Sequence, residues 1–177
     1  MNILLVNGSP RKDGNTSALV NQFVKETSDR ELNVKTEFLF DKNIKGCSNC
    51  GYCVKHKGEC AVKDYMQPLL EEIKNADLII IASPIYMWQF TACVKAFLER
   101  IHCLSGFTEG KKLAVLTTMG DDEFVASYAV SGIADLCEYY GMKYTASFAV
   151  PYADKERVTG ELYSVMLKEF AERILQS

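Results

Sequence analysis

The sequence predicts a three-layer α/β fold, with a five-stranded parallel sheet in the order 2-1-3-4-5 and helices on both faces. Three observations carry that expectation. Apolar runs of strand length alternate along the chain with segments whose apolar residues recur at a helical period. The strand runs are continuous rather than alternating, as in Leu78-Ile79-Ile80-Ile81-Ala82, so the sheet is covered on both sides. Right-handed crossovers within 177 residues make 2-1-3-4-5 the most economical order, with the winding reversing between strands 1 and 3.

Residues 3–6 (Ile-Leu-Leu-Val) read as the first strand, and Leu19, Val20, Phe23 and Val24 mark the helix after it. Residues 34–40 read as the second strand. Residues 41–62 are irregular and hold four cysteines. A helix follows on Met66, Leu69, Leu70 and Ile73, spaced i, i+3, i+4, i+7. After the third strand at 78–82, the loop 83–91 enters a helix marked by Val94, Phe97, Leu98 and Ile101. Residues 113–116 are the fourth strand and 117–122 its exit loop. A long helix using Tyr128, Ile133, Leu136 and Tyr140 precedes a fifth strand at 144–150. Val158, Leu162, Met166, Phe170 and Ile174, at steps of four, predict one last helix.

With no repeat, linker or low-complexity tract, residues 1–177 are expected to form one domain. A hydrophobic content of 48% and a charged content of 24% are ordinary for a globular protein. A net charge of −3 and a pI near 5.5 argue against a nucleic-acid partner. The apolar runs are too short to cross a bilayer, so no membrane partner is expected. The chain opens directly on a strand without a basic leader or cleavage site, and a cytoplasmic location is expected. In that compartment seven cysteines favour metal or redox chemistry over a disulfide framework.

The first loop is the most informative segment. Asn7-Gly8-Ser9-Pro10-Arg11-Lys12-Asp13-Gly14-Asn15-Thr16-Ser17 joins a buried strand to a helix N-terminus, where unsatisfied N–H groups and the positive dipole end favour an anion. No G-x-x-x-x-G-K-[ST] is present for a nucleoside triphosphate, and no G-x-G-x-x-G for a dinucleotide pyrophosphate. Hydroxyls and amides instead suit a terminal monophosphate, held by Ser9, Asn15, Thr16 and Ser17 with a charge-assisted contact from Arg11. The plainer alternative is a helix capped by Asn15 or Thr16 beneath a solvated loop.

The predicted strand order places this loop beside Ser83-Pro84-Ile85-Tyr86-Met87-Trp88-Gln89-Phe90, across the crevice where α/β sheets bind ligands. Ordinary packing explains isolated aromatics. Four large side chains in one βα connection, normally polar and exposed, point instead to a planar ring bound next to the phosphate.

Cys47, Cys50, Cys53 and Cys60 follow the pattern C-x2-C-x2-C-x6-C, with Gly46, Gly51 and Gly58 interspersed. The short intervals let the thiolates converge on one small object. Four thiolates are the usual ligands of a [4Fe–4S] cluster. Zinc more often uses two separated C-x-x-C pairs, and free or redox-active thiols are the remaining alternative. Cys93, Cys103 and Cys137 read as small core hydrophobes, His56 as a solvated residue within reach of the cysteines, and His102 as structural.

Together, GSPRKDGNTS, the cysteine pattern and SPIYMWQFTACVKAFLER resemble, in this order, the flavodoxin-like NADPH-dependent FMN reductases, and especially their iron–sulfur flavoprotein branch. The resemblance implies FMN, with its phosphate on Ser9, Arg11, Asn15, Thr16 and Ser17. It places the isoalloxazine against Pro84, Ile85, Tyr86, Met87 and Trp88, with Thr118, Met119 and Gly120 approaching from the third loop. Met119-Gly120-Asp121-Asp122 departs from the glycine run common in relatives. The resemblance also implies a homodimer or homotetramer, and a [4Fe–4S] cluster on Cys47, Cys50, Cys53 and Cys60.

A low-molecular-weight tyrosine phosphatase is excluded because no cysteine precedes Cys47, and a response regulator because the end of strand 1 carries no acidic pair. The function expected is hydride transfer from NAD(P)H to FMN, followed by reduction of an unidentified small-molecule or protein acceptor. No side chain is singled out as an acid or base. The alternatives are a non-enzymatic FMN and iron–sulfur electron carrier, or a redox sensor built on the cysteine segment.

Overall fold

In the computed structural model, which describes residues 1–176, the apolar runs at 3–6, 78–82 and 113–116 are strands buried on both sides, whereas the strand at 33–38 is a largely exposed edge. The elements are β1 (Asn2–Asn7), α1 (Asn15–Glu26), β2 (Asn33–Phe38), α2 (Tyr52–Lys55), α3 (Met66–Asn75) and β3 (Leu78–Pro84). They continue with α4 (Ala92–Arg100), a 3₁₀ turn (Ile101–Leu104), β4 (Lys112–Thr118), α5 (Phe124–Tyr139), β5 (Lys143–Val150), α6 (Lys155–Thr159) and α7 (Glu161–Gln176). All neighbouring strands pair in parallel, in the order β2-β1-β3-β4-β5. The expected architecture is therefore present.

Side chains alternate across each strand, so the two halves of a continuous apolar run feed two cores. Leu4, Val6, Ile79, Ile81, Leu113 and Val115 pack with α3, α4 and α5 on one face. Ile3, Leu5, Leu78, Ile80 and Leu116 pack with α1 and α7 on the other. Register brings Asn7 opposite Ala82, and Pro84 opposite Thr118. The exit loops of β1, β3 and β4 thus open at the same edge.

The last helix differs from expectation. A step of four residues advances about 400° on a helix of 3.6 residues per turn, so a series of such steps drifts about 40° each time. Val158, Leu162, Met166, Phe170 and Ile174 cannot share one face. The chain breaks at Gly160, whose extended backbone (φ −68°, ψ 157°) separates α6 from α7. Helix α7 then buries Leu167, Phe170, Ala171 and Ile174, leaving Leu162 68% and Met166 43% exposed. In α5 the buried face is Ala126, Ala129, Ile133 and Cys137, and Tyr128 is exposed. Val24 of α1 is also exposed.

Cys103 and Cys137 are core residues whose thiols are pushed up to about 11, by burial in both cases and in Cys103 additionally by Cys60 and Cys53. Cys93 is only half-buried, with its Sγ 3.5 Å from the Gly8 carbonyl. Among the described residues no helix is long and apolar enough to cross a membrane.

Candidate functional site

The β1 exit loop is fixed from below by its own backbone. Gly8 N donates to Ala82 O at 2.8 Å, and Thr91 Oγ1 donates to Gly8 O at 2.8 Å. A Cβ at Gly8 would lie 2.1 Å from Val94 Cγ2, so only glycine lets the loop meet the start of α4 so closely. Asn7 then organises the loop from beneath: its Oδ1 accepts from Ser9 N at 2.9 Å and its Nδ2 donates to Ser17 Oγ at 3.1 Å. Ser9 Oγ and Ser17 Oγ both donate to Arg11 O, at 2.9 and 3.0 Å. These contacts wrap the chain over the N-terminus of α1.

That N-terminus is uncapped. Gly14 provides no side chain, and among the described residues no acceptor pairs with the amides of Asn15, Thr16 and Ser17. Beside them lies a cavity of about 160 Å³, lined by Ser9, Arg11, Asn15, Thr16, Pro84, Ile85, Tyr86, Thr118, Met119, Gly120 and Ala153. Thr16 and Thr118 hydroxyls meet at 2.7 Å, tying α1 to the end of β4. The Arg11 side chain makes no ion pair among the described residues, whereas its neighbour Lys12 is taken by Asp41.

Ser17 is not a lining residue; its hydroxyl braces the loop between Asn7 and Arg11. Met87 and Trp88 line an adjoining lobe of about 240 Å³ with Asp121 and Val125, and Ile85, Met119 and Gly120 belong to both lobes. Sequence reasoning missed Ala153, which lines the first lobe and accepts a hydrogen bond from Asn15 Nδ2. The signal was available, because the order 2-1-3-4-5 brings the β5 exit beside the β4 exit.

The aromatic loop is a two-residue hairpin. Tyr86 and Gln89 exchange both backbone hydrogen bonds, at 2.9 and 3.0 Å, around Met87 and Trp88. These two residues have φ of 49° and 62°, a left-handed pair that such turns normally give to Asn-Gly. Each non-glycine residue held there costs on the order of 1–3 kcal/mol. Yet Met87 is 81% and Trp88 52% exposed, so burial does not offset that cost within this chain. Replacing the pair with Asn-Gly is expected to raise stability by about 1–2 kcal/mol, read as a higher denaturant midpoint with unchanged slope.

The four cysteines of the segment 41–62 line a second cavity, together with Glu99, Arg100, His102 and Cys103. Positive φ at Asn49, Gly51 and Gly58 turns the backbone around it. Glu99 Oε2 accepts from Cys47 N at 3.1 Å, and Gly58 N donates to Cys103 O at 2.9 Å. The segment's far end is held by a buried pair: Arg100 and Asp64 side chains are each 1% exposed and meet at 2.8 Å. Burial opposes both charges. For Asp64 it is outweighed by Arg100 and the amides of Lys45 and Met66, which hold the carboxyl below its ordinary range.

Among the described residues no group of three His, Cys, Asp or Glu side chains is arranged to hold a metal ion. The donor set nonetheless suits an anionic iron–sulfur group: four free thiols on one cavity, flanked by a buried guanidinium with an unpartnered N–H. His56 stays outside it, stacked on Tyr52 with ring centroids 4.1 Å apart. His102 does line it and also bonds Tyr140 Oη at 3.0 Å through Nδ1. A cleft of about 700 Å³ between the two sites is bordered by Pro10, Tyr86, Cys93, Gly46 and Glu99.

A phosphate-sized cradle at the switch point of a 2-1-3-4-5 sheet, opening onto the Met87–Trp88 lobe, lies where sheets of this kind bind their ligands. The family model described as NADPH-dependent FMN reductase matches residues 1–153, and the chain belongs to that family. An iron–sulfur flavoprotein of Archaeoglobus fulgidus is 35% identical over 127 residues, covering 68% of this chain and 57% of that protein. One from Methanocaldococcus jannaschii is 33% identical over 123 residues, covering 68% and 62%. The chain thus spans about three fifths of these relatives' length. Among solved structures, an NAD(P)H:quinone oxidoreductase from Methanothermobacter marburgensis superposes with a TM-score of 0.80 at 16% identity, covering 100% of this chain and 96% of that one.

Proposed function

We propose that this protein is an FMN-dependent oxidoreductase that accepts hydride from NAD(P)H and delivers electrons to a small-molecule or protein acceptor through a [4Fe–4S] cluster on Cys47, Cys50, Cys53 and Cys60. One observation carries the flavin part: the uncapped α1 N-terminus and the unpaired Arg11 share a cavity that continues into the Met87–Trp88 lobe. Family membership and the iron–sulfur flavoprotein relatives support the rest.

Bound FMN supplies the hydride-accepting ring that couples a two-electron donor to one-electron acceptors. The chain's own residues bind and orient. Amides of Asn15, Thr16 and Ser17, the Thr16 hydroxyl and the Arg11 guanidinium would hold the phosphate, and Ser9 would join them by exchanging its hydroxyl's bond to Arg11 O for one to the phosphate. Pro84, Ile85 and Tyr86 form one wall and Thr118, Met119 and Gly120 the other. The strained Met87–Trp88 turn sets an apolar edge at the open end of the site, and a homodimeric or homotetrameric partner would cover it. A cytoplasmic setting fits free thiols and a nicotinamide donor.

The test is an absorption spectrum of protein purified without oxygen, with iron and sulfide assayed on the same sample, followed by addition of NADH or NADPH. Flavin bands that bleach with the nicotinamide, and about four iron per chain, are the expected result. Absence of flavin, with no binding of added FMN, overturns the reading. Arg11→Ala is expected to weaken FMN by one to two orders of magnitude, since a charge-assisted hydrogen bond is worth about 1.5–3 kcal/mol. A fluorescence titration of the apoprotein reads it.

A further inference from the structure

Arg100 has five N–H donors, and its surroundings account for four of them. Nη1 donates to Lys45 O at 2.9 Å and Asp64 Oδ2 at 2.8 Å, and Nη2 donates to Val62 O and Asp64 Oδ1, both at 3.1 Å. The fifth, on Nε, is buried without a partner, and is the one side-chain nitrogen or oxygen so placed among the described residues. A bidentate carboxylate and two carbonyls fix the guanidinium plane, so Nε cannot turn to find an acceptor without breaking those bonds. A buried donor left unmade in this way is costly, and more so on a charged group.

The cavity beside it supplies what is missing. Arg100 lines the same space as Cys47, Cys50, Cys53 and Cys60. We propose that the Arg100 Nε–H donates to an anionic sulfur of the iron–sulfur group held by these four cysteines, and that this hydrogen bond raises the group's reduction potential. The proposal rests on the cluster reading given above. Adding an electron increases negative charge on the sulfurs, so a fixed donor on a buried cation stabilises the reduced state more than the oxidised one. A lysine at this position would keep the charge near Asp64 and lose the fork that aims Nε.

The test begins with iron and sulfide counts on wild type purified without oxygen and reconstituted with ferrous iron and sulfide. Protein that remains free of iron overturns the cluster reading and this inference together. With loaded protein, Arg100→Lys is expected to keep its iron and shift the midpoint of the cluster's redox titration downward; an unshifted midpoint overturns the inference alone. Because Arg100→Lys disturbs a buried pair, the same question is put to wild type carrying arginine labelled with ¹⁵N at Nε. Pulsed EPR of the reduced cluster is expected to show a ¹⁵N coupling and a coupled proton that exchanges in deuterium oxide. A reduced cluster with neither overturns the inference whatever the variant does.

Discussion

Asp64→Ala is expected to destabilise the protein by about 3–5 kcal/mol, the cost of leaving a buried cation without its partner. The carboxylate does three things at once. It pairs with Arg100 through both oxygens, accepts Lys45 N at 2.9 Å, and accepts Met66 N at 3.0 Å at the start of α3. Its loss therefore loosens the segment 41–62, leaving it held to α4 by Arg100 on Lys45 O and Val62 O and by Glu99 on Cys47 N, and it leaves Arg100 uncompensated. A lower denaturant midpoint reads the stability, and faster hydrogen exchange at Lys45 reads the release. Adding Arg100→Met to Asp64→Ala is expected to recover part of the loss, because no bare charge then remains inside. No recovery would mean that Asp64 acts through its backbone contacts rather than through the pair.

The same pair sets an acid limit. The folded-state pKa of Asp64 is depressed below its unfolded value, so its contribution is fully present above the ordinary carboxylate pKa of about 3.9 and is lost as pH falls through the folded value. Wild type is expected to lose stability with acid more steeply below about pH 4 than Asp64→Ala does. Parallel pH–stability curves for the two would place the acid sensitivity in other carboxylates.

What the sequence made legible follows from the range of the physics involved. Strand order, the placement of the β1 exit loop beside the β3 exit and the grouping of the cysteines are local or topological, and they are readable from runs, spacings and one crossover rule. Each part that escaped depends on something distant or strained. The Met87–Trp88 hairpin gives no Asn-Gly signal, because its residues oppose the turn they occupy. The Ser17 hydroxyl looks free by composition, but Asn7 and Arg11 engage it and leave only the Ser17 amide without an acceptor among the described residues. Steps of four in the last helix mimic a face until the accumulated drift is counted, and Gly160 resets the phase. Arg100 could have been found. It falls with Phe97, Ile101 and Leu104 at i, i+3, i+4, i+7, a charged residue on an apolar stripe, and such a residue needs a buried partner.

Gly8→Ala is the second large effect, and it separates the cradle from the rest of the fold. The added methyl would meet Val94 Cγ2 at 2.1 Å and Thr91 Oγ1 at 2.8 Å, so the loop or α4 has to move. Val94 is fully buried, and overpacking of this kind costs about 1–3 kcal/mol. Stability is the smaller part of the outcome. Pushing Gly8 away strains its bonds to Ala82 and Thr91, the contacts that set the height of the loop over α1. A shift there moves Ser9, Arg11 and the uncapped amides relative to Pro84 and Thr118, so FMN affinity is expected to fall by at least one hundredfold while the sheet stays intact. Val94→Ala supplies the control. It removes the nearer obstacle, so the double variant Gly8→Ala/Val94→Ala is expected to bind FMN more tightly than Gly8→Ala alone, a positive coupling between residues in direct contact. Additive losses in flavin titrations would mean that the methyl acts through the backbone and not against α4. In that case the close approach of the loop to α4 is a matter of packing, and the phosphate cradle owes its shape to Asn7 and Ser17.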